Sequence, residues 1–389
     1  MKFFIRLLLV AGVSAFVAPP TTSNRWNNPP LFAVAPPKEE VKSNMDRLKK
    51  VLEREYVSFF SPMEKEYYAE NVSFNDPLNS LSGVEAYENN VDMLSSKTLL
   101  GKFLFRDAGI VLHNIKGGEV LEDGSITDII TRWTLRFTFQ VLPWQPTARF
   151  SGISVYKVEH GGPKGVRILS QQDYWDSINL IEGGEYKAVD KTVGLSDFLD
   201  QLKPEQLAAP SAGSELPYQM LRRGKGYEVR RYPSFTAVRI PYVRRDDGFL
   251  ELGSFTRGLD PLAPALMSVD SATSDKTMMW PLRFAAPGEK RPKEDPTIFS
   301  KASDPEWDSF EIVTIPERVV AVGSFSDASM EPVVRKADRL LRETCERDGL
   351  QVDTASDSIL RFAQYDAIYS MGKRRGEVWI DLADDGHPW

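Results

Sequence analysis

Apolar positions recur along this chain with two periods, and the change from one to the other marks its elements. Met45, Leu48, Val51, Leu52, Tyr56, Phe59 and Phe60 fall at helical spacing. Ser61-Pro62 ends that helix, because a residue before proline is steered away from the α region. From Gly83, the residues Val84, Tyr87, Val91 and Leu94 form a second helix with one apolar face. The period then drops to two. It predicts strands over residues 103–115, 126–139, 149–159 and 166–175, with turns at Gly117-Gly118, Asp123-Gly124 and Gly161-Gly162. Leu195, Phe198, Leu199 and Leu202 indicate a short closing helix. Residues 204–216, rich in Ala, Pro, Ser and Gly, read as a linker.

A second patterned region begins near Pro217. Tyr227-Glu228-Val229-Arg230-Arg231-Tyr232-Pro233 opens an alternating stretch that runs to Val238. A helical stretch follows, with Phe249, Leu252 and Phe255 on one face. The pattern then repeats. Phe310, Glu311, Ile312 and Pro316 stand 83 positions after Tyr227, Glu228, Val229 and Pro233. This predicts an internal duplication of two β-α-β-β units facing each other. The second unit's helix carries the stripe Met330, Val333, Val334, Ala337, Leu340, Leu341 and Cys345, with Ser326 or Asp327 as its cap and Gly349 past its end. A stripe of this kind reads as core. Arg335, Lys336, Arg339, Arg342 and Glu343 form its solvated face.

A length of 389 residues suits two domains and a leader. Helices followed by a long antiparallel meander give the first domain, residues 41–203, an α+β class, as a curved sheet wrapped round a helix. The second domain covers residues 217–389. The net charge is −7, and the first 37 residues hold three basic groups and no acid, so the remainder is more acidic still. An acidic body without a long basic run argues against nucleic acid as a partner. One cysteine, Cys345, excludes a disulfide framework and a cysteine-based zinc site. Three histidines (His113, His160 and His387) make a multi-histidine metal site improbable, so no metal is expected.

Residues 3–13 are an apolar run after Lys2, of signal-peptide length and too short to span a bilayer. Residues 16–37 have the composition of a transit peptide. Ser14-Ala15-Phe16-Val17-Ala18-Pro19 resembles the signal–transit junction of plastid preproteins in diatoms and related algae. The expected location is therefore a plastid, with no transmembrane segment in the mature chain. A secretory signal before a plain linker is the alternative.

In the first domain, the element order and Tyr68-Ala69-Glu70-Asn71-Val72-Ser73-Phe74-Asn75-Asp76-Pro77 resemble the NTF2-like (SnoaL-like) superfamily. Gln172-Asp173-Tyr174-Trp175-Asp176 is similar to its plant and algal branch. The resemblance implies a cone that encloses a pocket, with Asp76, His113, Trp133 and Tyr174 as candidate pocket residues. Each has a plain structural reading as well. Asp76-Pro77 suits a turn, His113 a strand surface, and Trp133 and Tyr174 a core. No pair is spaced so as to force a catalytic constellation, so no catalytic residue is expected.

In the second domain, three segments in order resemble the SOUL/haem-binding protein family. They are Tyr227–Pro233, Lys276-Thr277-Met278-Met279-Trp280-Pro281-Leu282, and Tyr365-Asp366 followed by Arg374-Arg375-Gly376-Glu377-Val378-Trp379-Ile380. Met279-Trp280 and Gly376 depart from the family pattern, which has Thr-Thr or Thr-Ser and Asn there. The resemblance implies a distorted eight-stranded antiparallel barrel with two flanking helices. Its implied ligand is haem or another tetrapyrrole, bound reversibly and non-covalently. Arg244 and Arg245 would meet the propionates, Phe249, Leu252 and Phe255 would line the slot, and Met278 and Trp280 would close it. No histidine lies between residues 161 and 386, and His387 sits in a short tail expected to be disordered, so a histidine axial ligand is not expected. The fusion order resembles a plastid haem-binding branch associated with plastid lipid droplets (plastoglobules). A carrier or buffer follows. The alternatives are an enzyme using the first pocket on a small apolar plastid metabolite, and a lipid-droplet scaffold.

Overall fold

A computed structural model describes residues 37–57, 59, 62–204, 215–257, 261–282, 305–326, 331–365, 375–383 and 387–389. The leader, most of the linker, Asp327, Met330, Asp366 and Arg374 lie outside the described residues. The described chain divides into two compact units. The first holds the residues up to Trp175 together with Ala188–Leu202, and the second holds Asp176–Lys187 and the residues from Lys203 onward.

In the first unit, helix α1 is Lys38–Val57. It precedes strands β1 (Tyr68–Asn75) and β2 (Ser80–Ser82), helices α2 (Val84–Leu94) and α3 (Leu99–Leu104), and strands β3 (Phe105–Gly117), β4 (Ile129–Phe139), β5 (Thr147–His160) and β6 (Val166–Trp175). Helix α4, Lys191–Gln201, closes the unit, with Asp190 as its N-cap accepting from the Thr192 amide. The six strands form one sheet in the order β2-β1-β6-β5-β4-β3. All pairs are antiparallel except β1·β6. The apolar face of α1, from Val41 to Tyr56, is buried against this sheet. The α+β cone expected from the sequence is thus the arrangement found. Gly152 lets β5 and β6 approach closely, since a Cβ there would lie 1.9 Å from the Tyr174 carbonyl oxygen.

In the second unit, β7 (Gln219–Gly224) and β8 (Tyr227–Tyr232) form a hairpin, followed by β9 (Phe235–Pro241) and helix α5 (Arg245–Phe255). Then come β10 (Ala265–Asp270), β11 (Lys276–Pro281), β12 (Glu311–Ile315), β13 (Arg318–Ser326), helix α6 (Glu331–Arg347), β14 (Ile359–Gln364) and β15 (Arg375–Asp381). The expected single opening strand is two, broken at Pro233-Ser234. Its repeat breaks likewise at Pro316-Glu317, where proline cannot continue a ladder.

The sheet order is β12-β9-β11-β10-β14-β15-β13-β8-β7. Read outward from the β10·β14 junction, one side runs β10, β11, β9, β12 and the other β14, β15, β13, β8. These are equivalent strands of the two repeats. The registers agree with that symmetry. Tyr232 pairs with Arg318, and Phe235 pairs with Ile315, which are the same two positions exchanged by a shift of 83. Helix α5 packs on β9 and β11, as α6 packs on the equivalent β13 and β15.

The duplicated units supply eight strands. Strand β7 adds a ninth, so the described residues of the second unit form a curled antiparallel sheet of nine rather than eight strands. Both faces of the sheet are buried. One carries Val229, Ile240 and Val378 with the helix residues Leu252, Phe255, Val334, Leu341 and Cys345. The other carries Tyr232, Phe235, Leu266, Val320 and Trp379. Leu340, expected on the buried stripe of α6, is 50% exposed. The stripe is narrower than expected, passing through Val334, Leu341 and Cys345.

Candidate functional sites in the two units

Two cavities stand out, one in each unit. In the second unit, a groove of about 640 Å³ lies on the helix-bearing face of the sheet. Its lining comes from the β9–α5 junction (Tyr242 to Asp246), the β10–β11 turn (Val269 to Ser271, Ser274 and Lys276), the start of α6 (Val334 and Arg335), and Leu360 and Phe362 on β14. The groove therefore sits over the β10·β14 junction, at the centre of the duplicated sheet. Val269, Val334, Leu360 and Phe362 make its apolar wall. Arg244, Arg245, Lys276 and Arg335 bring four positive charges, against Asp246 and Asp270.

Of the residues expected to bind a ligand, Arg244 and Arg245 line this groove. The other five do not. Leu252, Phe255 and Met278 are fully buried in the core. Phe255 stacks on Phe310, with ring centroids 4.6 Å apart. Phe249 and Trp280 pack edge to face at 5.9 Å against the same core. Helix α5 turns its apolar face onto β9 and β11, so the aromatics that looked like a slot hold the helix in place. The groove residues missed from the sequence, Lys276 and Arg335 above all, carry no pattern of their own. They resemble ordinary solvated charges until the fold brings them together. His387 is not on the groove either. Its ring stacks on Trp389 at 5.0 Å, and Trp389 packs against the core, so the tail expected to be disordered is seated.

The opening and closing family-like segments mark something other than the groove, while Lys276 of the middle segment lines it. Glu377, 1% exposed, accepts hydrogen bonds from Arg230 (3.0 and 3.1 Å), Tyr365 (2.7 Å) and the Trp379 indole (3.0 Å). Arg230 also donates to Glu228 at 2.7 Å and lies over the Tyr218 ring. The Tyr232 and Trp379 rings stack at 4.5 Å. The opening and closing motifs thus form one buried polar cluster on the sheet face away from the helices. Gly376, where the family pattern has Asn, has a local cause: a Cβ there would lie 2.6 Å from the Phe325 ring.

In the first unit, the cone holds a cavity of about 520 Å³. Phe74, Phe105, Leu135, Phe137, Phe150 and Phe198 are among its walls. Asp76 and Trp133, expected in this pocket, both line it. His113 and Tyr174 do not. His113 on β3 bonds the Thr134 hydroxyl on β4 at 3.0 Å. Tyr174 has the opposite strand parity to the lining residues Gln171, Asp173 and Trp175. Asp173 was missed, although its parity with the core residue Trp175 could have found it.

Asp173 accepts from the Gln171 amide at 2.8 Å. The Trp133 indole donates to the Ser154 hydroxyl at 2.8 Å, which the Gln171 amide also approaches at 3.3 Å. The Tyr87 hydroxyl donates to Gln171, and the Tyr56 hydroxyl contacts Thr131, Ser154 and Tyr156 at 2.8 to 3.3 Å. Burial pushes the Asp173 carboxyl up to about 7, with Asp76 adding to the rise and hydrogen bonds from Ser154 and Gln171 opposing it. Burial also raises Asp76, which is otherwise held in a turn by the Leu78 and Asn79 amides. Among the described residues, no group of three metal-ligating side chains occurs.

Comparison with known proteins fits this division. The family model described as "SOUL heme-binding protein" matches residues 214–381, and that described as "Uncharacterized conserved protein (DUF2358)" matches residues 46–163. No curated protein matches the chain. Among solved structures, the C-terminal domain of EcmrR is 11% identical, with a TM-score of 0.30, over 43% of this chain and 98% of that one. A putative scytalone dehydratase from Novosphingobium aromaticivorans is 10% identical, with a TM-score of 0.28, over 35% and 87%. An NTF2-like protein of unknown function from Exiguobacterium is 14% identical, with a TM-score of 0.23, over 32% and 98%. Likeness of this degree says nothing about chemistry. The two family matches, in order along the chain, show that it joins a DUF2358 domain to a domain of the SOUL heme-binding family.

Proposed function

We propose that the second unit binds haem or a related tetrapyrrole reversibly and non-covalently in the groove over the β10·β14 junction, as a carrier or buffer. The observation that carries this reading is the pairing, in a SOUL-family domain, of an apolar wall with four basic side chains. A porphyrin is a flat apolar disc with two carboxylates on one edge. Val269, Val334, Leu360 and Phe362 suit the disc, while Arg244, Arg245, Lys276 and Arg335 suit the carboxylates. The volume lies within the roughly 300–1,000 Å³ of small-molecule sites.

No histidine is among the groove's lining residues. Tyr242 is the lining side chain whose chemistry suits an iron ligand. Burial raises its phenol above the usual value and the Arg245 charge opposes that rise, so it stays protonated at neutral pH. Weak or absent axial ligation supports exchangeable binding. Titration of haem and of metal-free protoporphyrin into the full chain tests this: both are expected to give a shifted Soret band. No shift at micromolar ligand contradicts the proposal.

The same reading locates the protein in a plastid, peripheral to its lipid droplets. It is supported by the leader composition and the junction at Phe16. No described helix is long and apolar enough to cross a membrane. Imaging of a full-length fluorescent fusion tests the location, and uniform stromal signal counts against the droplets.

A further inference from the structure

The cone cavity of the first unit is not used by the tetrapyrrole reading, yet it is built like a site. A cavity left only by imperfect packing would be lined by apolar groups alone, because an unpaired polar group on such a wall is costly. Here a carboxyl, Asp173, stands among aromatic walls, and a hydrogen-bonded chain through Gln171, Ser154 and Trp133 fixes its position. The groups facing it are few. Tyr56 from α1, Tyr87 from α2 and Tyr156 from β5 carry phenols that burial raises and keeps neutral. Asp76, after β1, adds negative charge, and Lys191 of α4 partly offsets the charge on Asp76.

We propose that this cavity is a second ligand site, separate from the groove, which takes a compact, neutral, largely apolar molecule with one hydroxyl group, and that the hydroxyl donates to the Asp173 carboxylate. A carboxylate is acceptor-only, so the ligand must bring the donor. Two acids in the cavity repel carboxylic acids and phosphates, and they repel a porphyrin's propionates as well. The aromatic walls bury the remainder of the ligand, and the volume of about 520 Å³ admits a two- to four-ring molecule. The bond is stronger to the charged form of Asp173 than to the protonated one, so affinity rises as pH passes upward through about 7.

The test uses the full chain and two fluorescent probes of near-equal shape, 2-naphthol and 2-methoxynaphthalene, of which only the first has a hydroxyl. At pH 8 the wild type is expected to bind 2-naphthol about tenfold tighter, the worth of one hydrogen bond to a charged group. That preference is expected to shrink at pH 5 and in Asp173→Asn. Leu135→Trp, which fills the cavity, is expected to abolish binding of both probes and leave the haem titration unchanged. Equal affinity for the two probes in the wild type overturns the proposal without any variant. So does 2-naphthol binding that survives Leu135→Trp, or no saturable binding at all.

Discussion

Arg230 Nη1 lies 3.0 Å from Glu377 Oε2, with side-chain exposures of 6% and 1%. The pair ties β8 to β15 across the intervening β13, and so links the first repeat of the duplicated sheet to the second. A buried pair of this kind is weak support for stability as a unit, but losing Glu377 leaves the buried Arg230 to the partly exposed Glu228 as its remaining carboxylate.

Glu377→Ala is accordingly expected to destabilise the second unit by about 3–5 kcal/mol, seen as a loss of urea midpoint at unchanged slope. The double variant Arg230→Met with Glu377→Leu is expected to lose less than Glu377→Ala alone. A larger loss in the double variant would contradict the role given to the under-compensated charge of Arg230.

Gly376→Asn restores the family pattern at that position but drives a Cβ into the Phe325 ring. Overpacking of this sort costs about 1–3 kcal/mol. The expected outcome is a lower melting temperature than wild type, relieved when Phe325→Ala is added.

Two carboxyls make the first unit's stability depend on pH. Burial holds Glu55 at about 7 against 4.5, and Asp173 at about 7 against 3.8. Their folded values are raised, so the folded state holds more protons between the two values. Their contribution to stability is greatest below about pH 4 and falls as pH rises to 7, by up to about 1.4 kcal/mol per pH unit for each group. Melting curves at pH 5 and pH 8 should show this fall in the wild type, and a smaller one in Asp173→Asn. Equal falls would show that Asp173 is not held up.

Much of this molecule is legible in its residues, for physical reasons. Periods of 3.6 and two located most of the helices and strands, because one face of each element is buried. The 83-residue offset between Tyr227 and Phe310 foretold a sheet whose halves mirror each other. The sites were harder. Phe249, Leu252 and Phe255 looked like a ligand slot, because an apolar helix face reads the same whether it meets a ligand or a strand. Asp173 was passed over for Tyr174, one residue away, where strand parity separates the cavity from the outside. Lys276 and Arg335 gain their meaning only from the β10–β11 turn and α6 converging over β14. Short-range pattern carries no record of such long-range convergence. Strand β7 also escaped notice, although Gly224-Lys225-Gly226 and the positive φ of Gly226 mark the hairpin that adds it.

The basic groove over the β10·β14 junction is the proposed seat of the tetrapyrrole, and haem titration of groove variants in the full chain tests this most directly. Arg244→Ala with Arg245→Ala and Lys276→Ala should weaken the Soret response about tenfold or more, as charge-assisted bonds to the propionates are lost. Trp280→Phe, outside the groove, should leave it unchanged. A triple variant that binds haem as tightly as wild type would contradict the account.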